Sequence, residues 1–313
     1  MLETMDLPVP EPGPGEVAID VAYAGANYAE ILYRRGAVDV PLPFVPGIEV
    51  AGRVRALGEG VSGLEVGQPV AALTIVNSGG YAEVAVTDAR LAVPAPEGVP
   101  LATAAALPSN STTAILVWDR IARLRPDEVV LVHAAAGGVG SQLGQAARML
   151  GAKRVVGTVG SPAKVEAANA FGYDEVLLRN EFAERADALT EGKGFDVIVD
   201  PVGGETRRAS YEALAGGGRL IAMGNASNGD DVSFGANELW CAGKAVMGFN
   251  LAAFSATHPE VVHAALARAA DALAAGEMRV DVNETLPLEE AEQAHRRIES
   301  GQTTGKIVLA VAP

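Results

Sequence analysis

The sequence predicts an α/β fold with two parts, a β-rich domain and a doubly wound parallel sheet. Three observations predict it. Residues 1 to about 105 carry short alternating runs punctuated by Gly and Pro, the pattern of a small barrel or sandwich. From about 110 to 250, strand-like runs alternate with helical ones, which implies parallel strands joined by right-handed crossovers. Between an apolar strand and a helix stands the run His133-Ala134-Ala135-Ala136-Gly137-Gly138-Val139-Gly140.

In the first region, Pro8, Pro10, Pro12 and Pro14 make a stiff start. Residues 16–23 alternate polar and apolar, as in a half-buried strand. Residues 49–58 form a second such run, 66–73 a turn leading into a third, and 80–86 a fourth. The texture then changes. Val129-Val130-Leu131-Val132 reads as a buried strand, and Ser141 to Leu150 as the helix that the glycines open. A strand at 154–159 follows, then a helix at 162–171, with Ser161 as its cap and Pro162 in its first turn. Next come a strand at 175–178, a helix at 181–189, and strands at 195–200, 219–223 and 245–249. Residues 258–276 read as one amphipathic helix. The tail has Leu286-Pro287-Leu288, a helix at 289–299 and a strand at 306–311. It breaks the alternation and is expected to return to the first domain. The expected division is 1–108 with 252–313, and 109–251.

Composition narrows the function. The 313 residues hold 39 acidic and 24 basic side chains, a net charge of −15. That acidity argues against a nucleic-acid backbone or an anionic membrane as partner. Cys241 is the single cysteine, so no intrachain disulfide and no multi-thiolate zinc site can form. His133, His258, His263 and His295 have no ligand spacing. No metal site is expected. The N-terminus lacks the basic and apolar regions of a signal peptide, and no apolar run reaches the length of a membrane span. A cytoplasmic protein is expected.

The glycine run sets the chemistry. Small residues let backbone approach a ligand, and free N–H groups at a helix start attract phosphate. Ala135, Gly137 and Gly140 fill the three small positions of the dinucleotide fingerprint, with Gly138 and Val139 between them. A site selective for NAD places a carboxylate after the second strand. Here that place reads Gly157-Thr158-Val159-Gly160-Ser161-Pro162-Ala163-Lys164. With no acid, and with Ser161 and Lys164 present, a 2′-phosphate is favoured, hence NADPH.

The strings 132–140, 157–164 and 218–226 resemble the zinc-independent quinone oxidoreductases, the zeta-crystallin-like branch of the medium-chain dehydrogenase/reductase superfamily. Residues 11–17, 46–52, 79–83 and 303–309 add to the resemblance, which covers nearly the whole chain. It implies a GroES-like catalytic domain split around a Rossmann domain, and NADPH-dependent reduction of quinones or α,β-unsaturated carbonyls. Zinc-dependent relatives carry a Gly-His-Glu triplet; here it is Gly47-Ile48-Glu49, and isoleucine cannot hold zinc. The resemblance also implies a strand ahead of the Pro8-to-Gly15 region, so the sequence reads as starting late.

By the same resemblance, Asn27 is expected near the nicotinamide ribose and Glu30 replaces the family's aspartate. Asn27 and Glu30 also suit a helix cap. Leu32 stands where a tyrosine is common, with Tyr33 beside it. Thr113 is expected to approach the nicotinamide. Gly160, Gly224, Phe249, Leu251 and Lys306 are expected at the cofactor. Leu178 and Gly301 depart from the positions that grip the 2′-phosphate, and Arg179 adjoins the first. Hydride transfer needs a donor for the oxygen that becomes negative, and Asn27 with a ribose hydroxyl is expected to supply it. The rival readings are an enoyl-thioester reductase of the same superfamily and a non-catalytic nucleotide-binding, crystallin-like protein. The strand at 245–249 is expected to end the Rossmann sheet and to pair with its twin in a homodimer.

Overall fold

The structure, a computed structural model, describes residues 2–311. It has two compact units. One runs up to Thr112 and resumes at Leu251; the other is Thr113–Asn250.

The first unit is built around a long central strand. β1 (Glu16–Ala26) is flanked by β2 (Glu49–Leu57), which in turn pairs with β3 (Pro69–Leu73). β4 (Val84–Asp88) pairs with the first half of β1, and β5 (Ala92–Pro94) closes onto β3. All these pairings are antiparallel. Val17, Ile19, Val21, Val50, Val54 and Val70 are almost wholly buried in its core. β-branched side chains suit that pleated, enclosed surface. The fourth strand starts at Val84, not at Gly80 as the alternation suggests. Gly80 and Tyr81 donate their N–H groups to Gly47 O and Pro46 O, so this stretch is tied to a neighbouring loop instead of a ladder.

The second unit holds β6 (Val129–His133), β7 (Arg154–Val159), β8 (Glu175–Leu178), β9 (Phe195–Asp200), β10 (Leu214–Ala222) and β11 (Ala245–Gly248). Their order in the sheet is β11-β10-β9-β6-β7-β8, and every pairing is parallel. This is the doubly wound order, with its reversal between β6 and β9. Val130, Leu131, Val132, Val197, Ile198 and Val199 are fully buried, as strands covered on both faces require.

The tail then returns to the first unit. A short helix, Leu251–Thr257, precedes the expected long one, Pro259–Ala274. β12 (Val282–Pro287) lies at a sheet edge, parallel to β13 (Lys306–Ala310). β13 pairs antiparallel with the second half of β1. The sequence hid β12 because Asn283 and Glu284 sit on a strand with only Leu286 buried. The fold is thus an α/β one, with a β-rich GroES-like domain and a parallel Rossmann sheet. No helix among the described residues is long and apolar enough to cross a membrane.

Candidate active site

In an open parallel sheet, ligands bind beyond the carboxyl ends of the strands where the order reverses. Here those ends are His133 on β6 and Asp200 on β9. After β6 the chain turns through Ala134 at φ 57° and enters a helix at Gly138. The helix is Gly138–Met149, one turn earlier than the Ser141 start expected, with Gly137 as its N-cap. Gly138, Val139 and Gly140 therefore form its first turn, whose N–H groups have no partner within the helix. Gly140 carries no side chain for a steric reason: a Cβ would overlap the Ala134 carbonyl and crowd Ala135. Tyr173 fixes the same turn by donating its hydroxyl to Gly140 O at 2.5 Å. Ala135 is fully buried beneath it.

At the end of β7, Gly160 leads to Ser161, the N-cap of a short turn at Pro162–Lys164. Arg179, just past β8, brings its Nη2 to 2.7 Å from where a Gly160 Cβ would stand. Burial and the neighbouring Arg179 charge together lower the Lys164 pKa below the usual lysine value. Two cations and a hydroxyl thus gather at the end of β7 and β8. That is a setting for a dianion.

On the other side of the reversal, Asp200 organises a second loop. Its carboxylate is buried and accepts the N–H groups of Val202 at 2.7 Å and Gly203 at 3.0 Å, and Arg207 Nε at 2.8 Å. Arg207 also donates to Gly224 O. One ion pair therefore holds both the loop after β9 and the loop after β10, where Gly224 lies. Asp200 and Arg207 were not foreseen. Phe249 follows β11, is 8% exposed, and donates its N–H to Ala222 O.

Thr113 lies in the helix Pro108–Leu116 and is largely buried. Leu251 begins the helix Leu251–Thr257 and belongs to the β-rich unit.

The other expected residues collect in the β-rich unit. Asn27 is the N-cap of the helix Tyr28–Arg34, and Glu30 accepts the Asn27 N–H at 3.1 Å. Glu30 thus supplies the cap, while the Asn27 side chain makes no cap hydrogen bond and turns elsewhere. Lys306, on β13, donates to Asn27 Oδ1 at 2.6 Å, Glu49 Oε1 at 2.6 Å and Ala26 O at 3.2 Å. All three of its protons are engaged there, within this unit. The other Glu49 oxygen accepts the Ser109 N–H at 2.7 Å. Glu49 and Lys306 are 0% and 5% exposed. Glu49 was missed as a site residue, although the sequence signals it. Glu49 and Lys306 are opposite charges set in two apolar runs, 44–51 and 306–311, and such charges are buried only in pairs.

One expectation changes. Asn27 Nδ2 donates to Glu49 Oε1 at 2.8 Å and to Gly25 O at 3.3 Å. An amide has only two such protons. Asn27 therefore cannot donate to a developing oxyanion, and only a lone pair on Oδ1 stays open. Glu30 is fully buried and also accepts the Ile48 N–H at 3.2 Å. Burial pushes its pKa up to about 8, and Glu49 adds to that while Lys306 opposes it. Ile48 itself is 2% exposed.

Comparison with known proteins places these features in context. Residues 13–97 match the family described as Alcohol dehydrogenase GroES-like domain, and residues 171–309 match Zinc-binding dehydrogenase. The quinone oxidoreductase of Pseudomonas aeruginosa is 34% identical over 312 residues, which is 99% of this chain and 95% of that protein. The crystal structure of the Pseudomonas syringae pv. Tomato quinone oxidoreductase superposes with a TM-score of 0.91 at 33% identity, over 99% of this chain and 95% of that one. The Escherichia coli quinone oxidoreductase complexed with NADPH gives 0.89 at 30% identity, over 98% and 95%.

Proposed function

The chain belongs to the quinone oxidoreductase family of the medium-chain dehydrogenase/reductase superfamily, and from that premise we propose that it is an NADPH-dependent, metal-free reductase of quinones or α,β-unsaturated carbonyls. The observation that carries this reading is the set of residues at the carboxyl ends of β6, β7 and β8. The first turn Gly138–Gly140 offers N–H groups and backbone access to a pyrophosphate. Ser161, Lys164 and Arg179 offer a hydroxyl and two cations to a 2′-phosphate. The stretch 157–164 holds no carboxylate to claim ribose hydroxyls in its place. These residues fit the cofactor.

NADPH, when bound, supplies the hydride. The protein's part is to bind, orient and exclude water. Arg207 and Asp200 hold the loops after β9 and β10 in fixed shape. Gly224, Phe249 and Leu251 are proposed to line the cofactor, with Thr113 close to its nicotinamide. Asn27 is proposed to accept a hydrogen bond from a ligand hydroxyl, with Glu30 buttressing its backbone. The proton that completes reduction is proposed to come from solvent.

The metal-free assignment rests on donor chemistry. Ile48 has no ligand atom, and both oxygens of Glu49 are already engaged by Lys306, Asn27 and Ser109. A homodimer is proposed through β11, which ends the Rossmann sheet; Trp240, on the helix Ala236–Ala242 that precedes it in the chain, is 78% exposed. Light scattering at micromolar concentration tests it, and a monomer mass refutes it.

The decisive experiment titrates NADPH and NADH separately by fluorescence. It then follows oxidation of the tighter one with quinones and enones, before and after dialysis against a chelator. Tighter NADPH binding and chelator-resistant turnover are expected. Indifference to both coenzymes, or a requirement for a metal ion, overturns the proposal.

A further inference from the structure

We propose that Lys306 is a positioning residue: its ammonium fixes the sense of the Asn27 amide, so that Asn27 meets its ligand as a hydrogen-bond acceptor only, and the group it selects is a hydroxyl. The proposal rests on the reading of the chain as a nicotinamide-dependent reductase, but its first test does not.

An amide presents two ends of similar shape and opposite polarity, and nothing intrinsic decides which faces outward. Here the surroundings decide. An ammonium is a donor with no lone pair, and Lys306 Nζ lies 2.6 Å from the amide. The atom facing it must be oxygen. Turning the amide over would set NH2 against NH3+ and carbonyl oxygen against the Glu49 carboxylate. Glu49 enforces the same sense from the other end by accepting from Nδ2 at 2.8 Å, and Gly25 O takes the second proton at 3.3 Å. Lys306 is itself aimed by Glu49 Oε1 and Ala26 O.

The cluster is graded in depth. Glu49 and Lys306 are buried, whereas Asn27 is half-buried. Asn27 is therefore the part of this network that reaches outward, and the remaining lone pair of Oδ1 is what it shows. That atom is made a stronger dipole by the ammonium behind it. It suits a neutral donor such as a sugar hydroxyl, and it repels an oxyanion.

The first test is made on the protein without cofactor. Nuclear magnetic resonance of the 15N-labelled Asn27 side chain reads hydrogen exchange at Nδ2. Lys306→Met is expected to speed that exchange at least about tenfold, because the amide is freed to turn. Should that variant not fold, Lys306→Met combined with Glu49→Gln is compared with Glu49→Gln alone, so that the difference in exchange reads the ammonium. Unchanged exchange in the folded variant overturns the proposal.

The second test is NADPH binding by fluorescence titration. Asn27→Ala and Lys306→Met are each expected to weaken binding about tenfold, and the double variant no more than either alone, because both remove one interaction. In turnover, KM for NADPH is expected to rise with kcat little changed, as befits an interaction held equally before and during the reaction. Additive losses overturn the proposal. If the unmodified protein binds neither coenzyme, the proposed function fails, while the exchange result still judges the role of Lys306.

Discussion

Two buried polar assemblies, one in each unit, handle the loss of water differently. At the end of β6, His133 Nδ1 lies 2.7 Å from Thr158 Oγ1 and Nε2 lies 2.8 Å from Ser210 Oγ. Ser210 gives its own proton to Thr206 O at 2.6 Å, so it must accept from His133 Nε2, and Nδ1 must accept from Thr158. Each proton has one place, and the relay is neutral. In the β-rich unit the assembly is ionic: Lys306 and Glu49 face each other at 2.6 Å, with Glu30 nearby. A neutral relay tolerates the loss of one member at the cost of a hydrogen bond. An ionic one leaves a bare charge behind. The lesson is that the β-rich assembly holds a directed field beside Asn27, and that its integrity depends on a single cation.

The largest effect that sharpens this contrast is expected from Lys306→Met, which strands Glu49 without its counter-charge. Thermal melts are expected to show a loss of about 3–5 kcal/mol. Removing the Thr158 hydroxyl from the neutral relay, as in Thr158→Val, is expected to cost only about 1–3 kcal/mol. Equal losses would break the comparison.

The two assemblies also titrate with opposite sign. Burial pulls His133 down to about 4 from 6.5. Between those values the unfolded chain holds a proton that the folded one refuses, so stability falls as pH falls from 6.5 to 4. Glu30 is raised from 4.5 to about 8. Between those values the folded chain holds a proton that the unfolded one has released, so stability falls as pH rises from 4.5 to 8. Each group contributes a slope of up to about 1.4 kcal/mol per pH unit; the opposite signs offset one another between pH 4.5 and 6.5, so denaturant melts of the single variants separate them. His295 is lowered to about 4 as well, so His133→Gln should remove about half of the first slope, and Glu30→Gln the second. A variant whose slope is unchanged refutes the assignment.

Smaller effects are expected at the nucleotide-facing loops. Gly140→Ala forces the turn away from Ala134 O and is expected to cost about 1–3 kcal/mol, with weaker NADPH binding in titration. Arg179→Ala is expected to lower the preference for NADPH over NADH by about tenfold, read as the ratio of the two dissociation constants. An unaltered ratio would place the 2′-phosphate elsewhere.

Much of this fold is legible in the chain, and the reason is local. The strands of the parallel sheet are continuous apolar runs such as 129–132 and 197–199, and glycines or helix caps punctuate them. Those signals lie within a few residues of what they specify. β12 and the helix Leu251–Thr257 were hidden because tertiary pairing, not pattern, makes them. The same limit applies to the candidate site. Asn27 and Glu30 were visible as a cap, since they stand only three positions apart. The partnership of Glu49 with Lys306 spans 257 positions, and no short window contains it. The polarity of Asn27 follows from that distant partner, which is why the sequence led to the opposite assignment.

The position of β13 has a consequence for how the polypeptide assembles. Thr113–Asn250 is one contiguous stretch, so the Rossmann unit has every strand it needs once residue 250 has left the ribosome. The β-rich unit does not. Its central β1 waits through synthesis for residues 306–310 to supply a neighbour, and long-range pairing of this kind is slow to form. Glu49 waits equally long for its ammonium. Until then the nascent domain carries an open strand edge and an unneutralised carboxylate, which makes that interval the time when chaperones matter most to it.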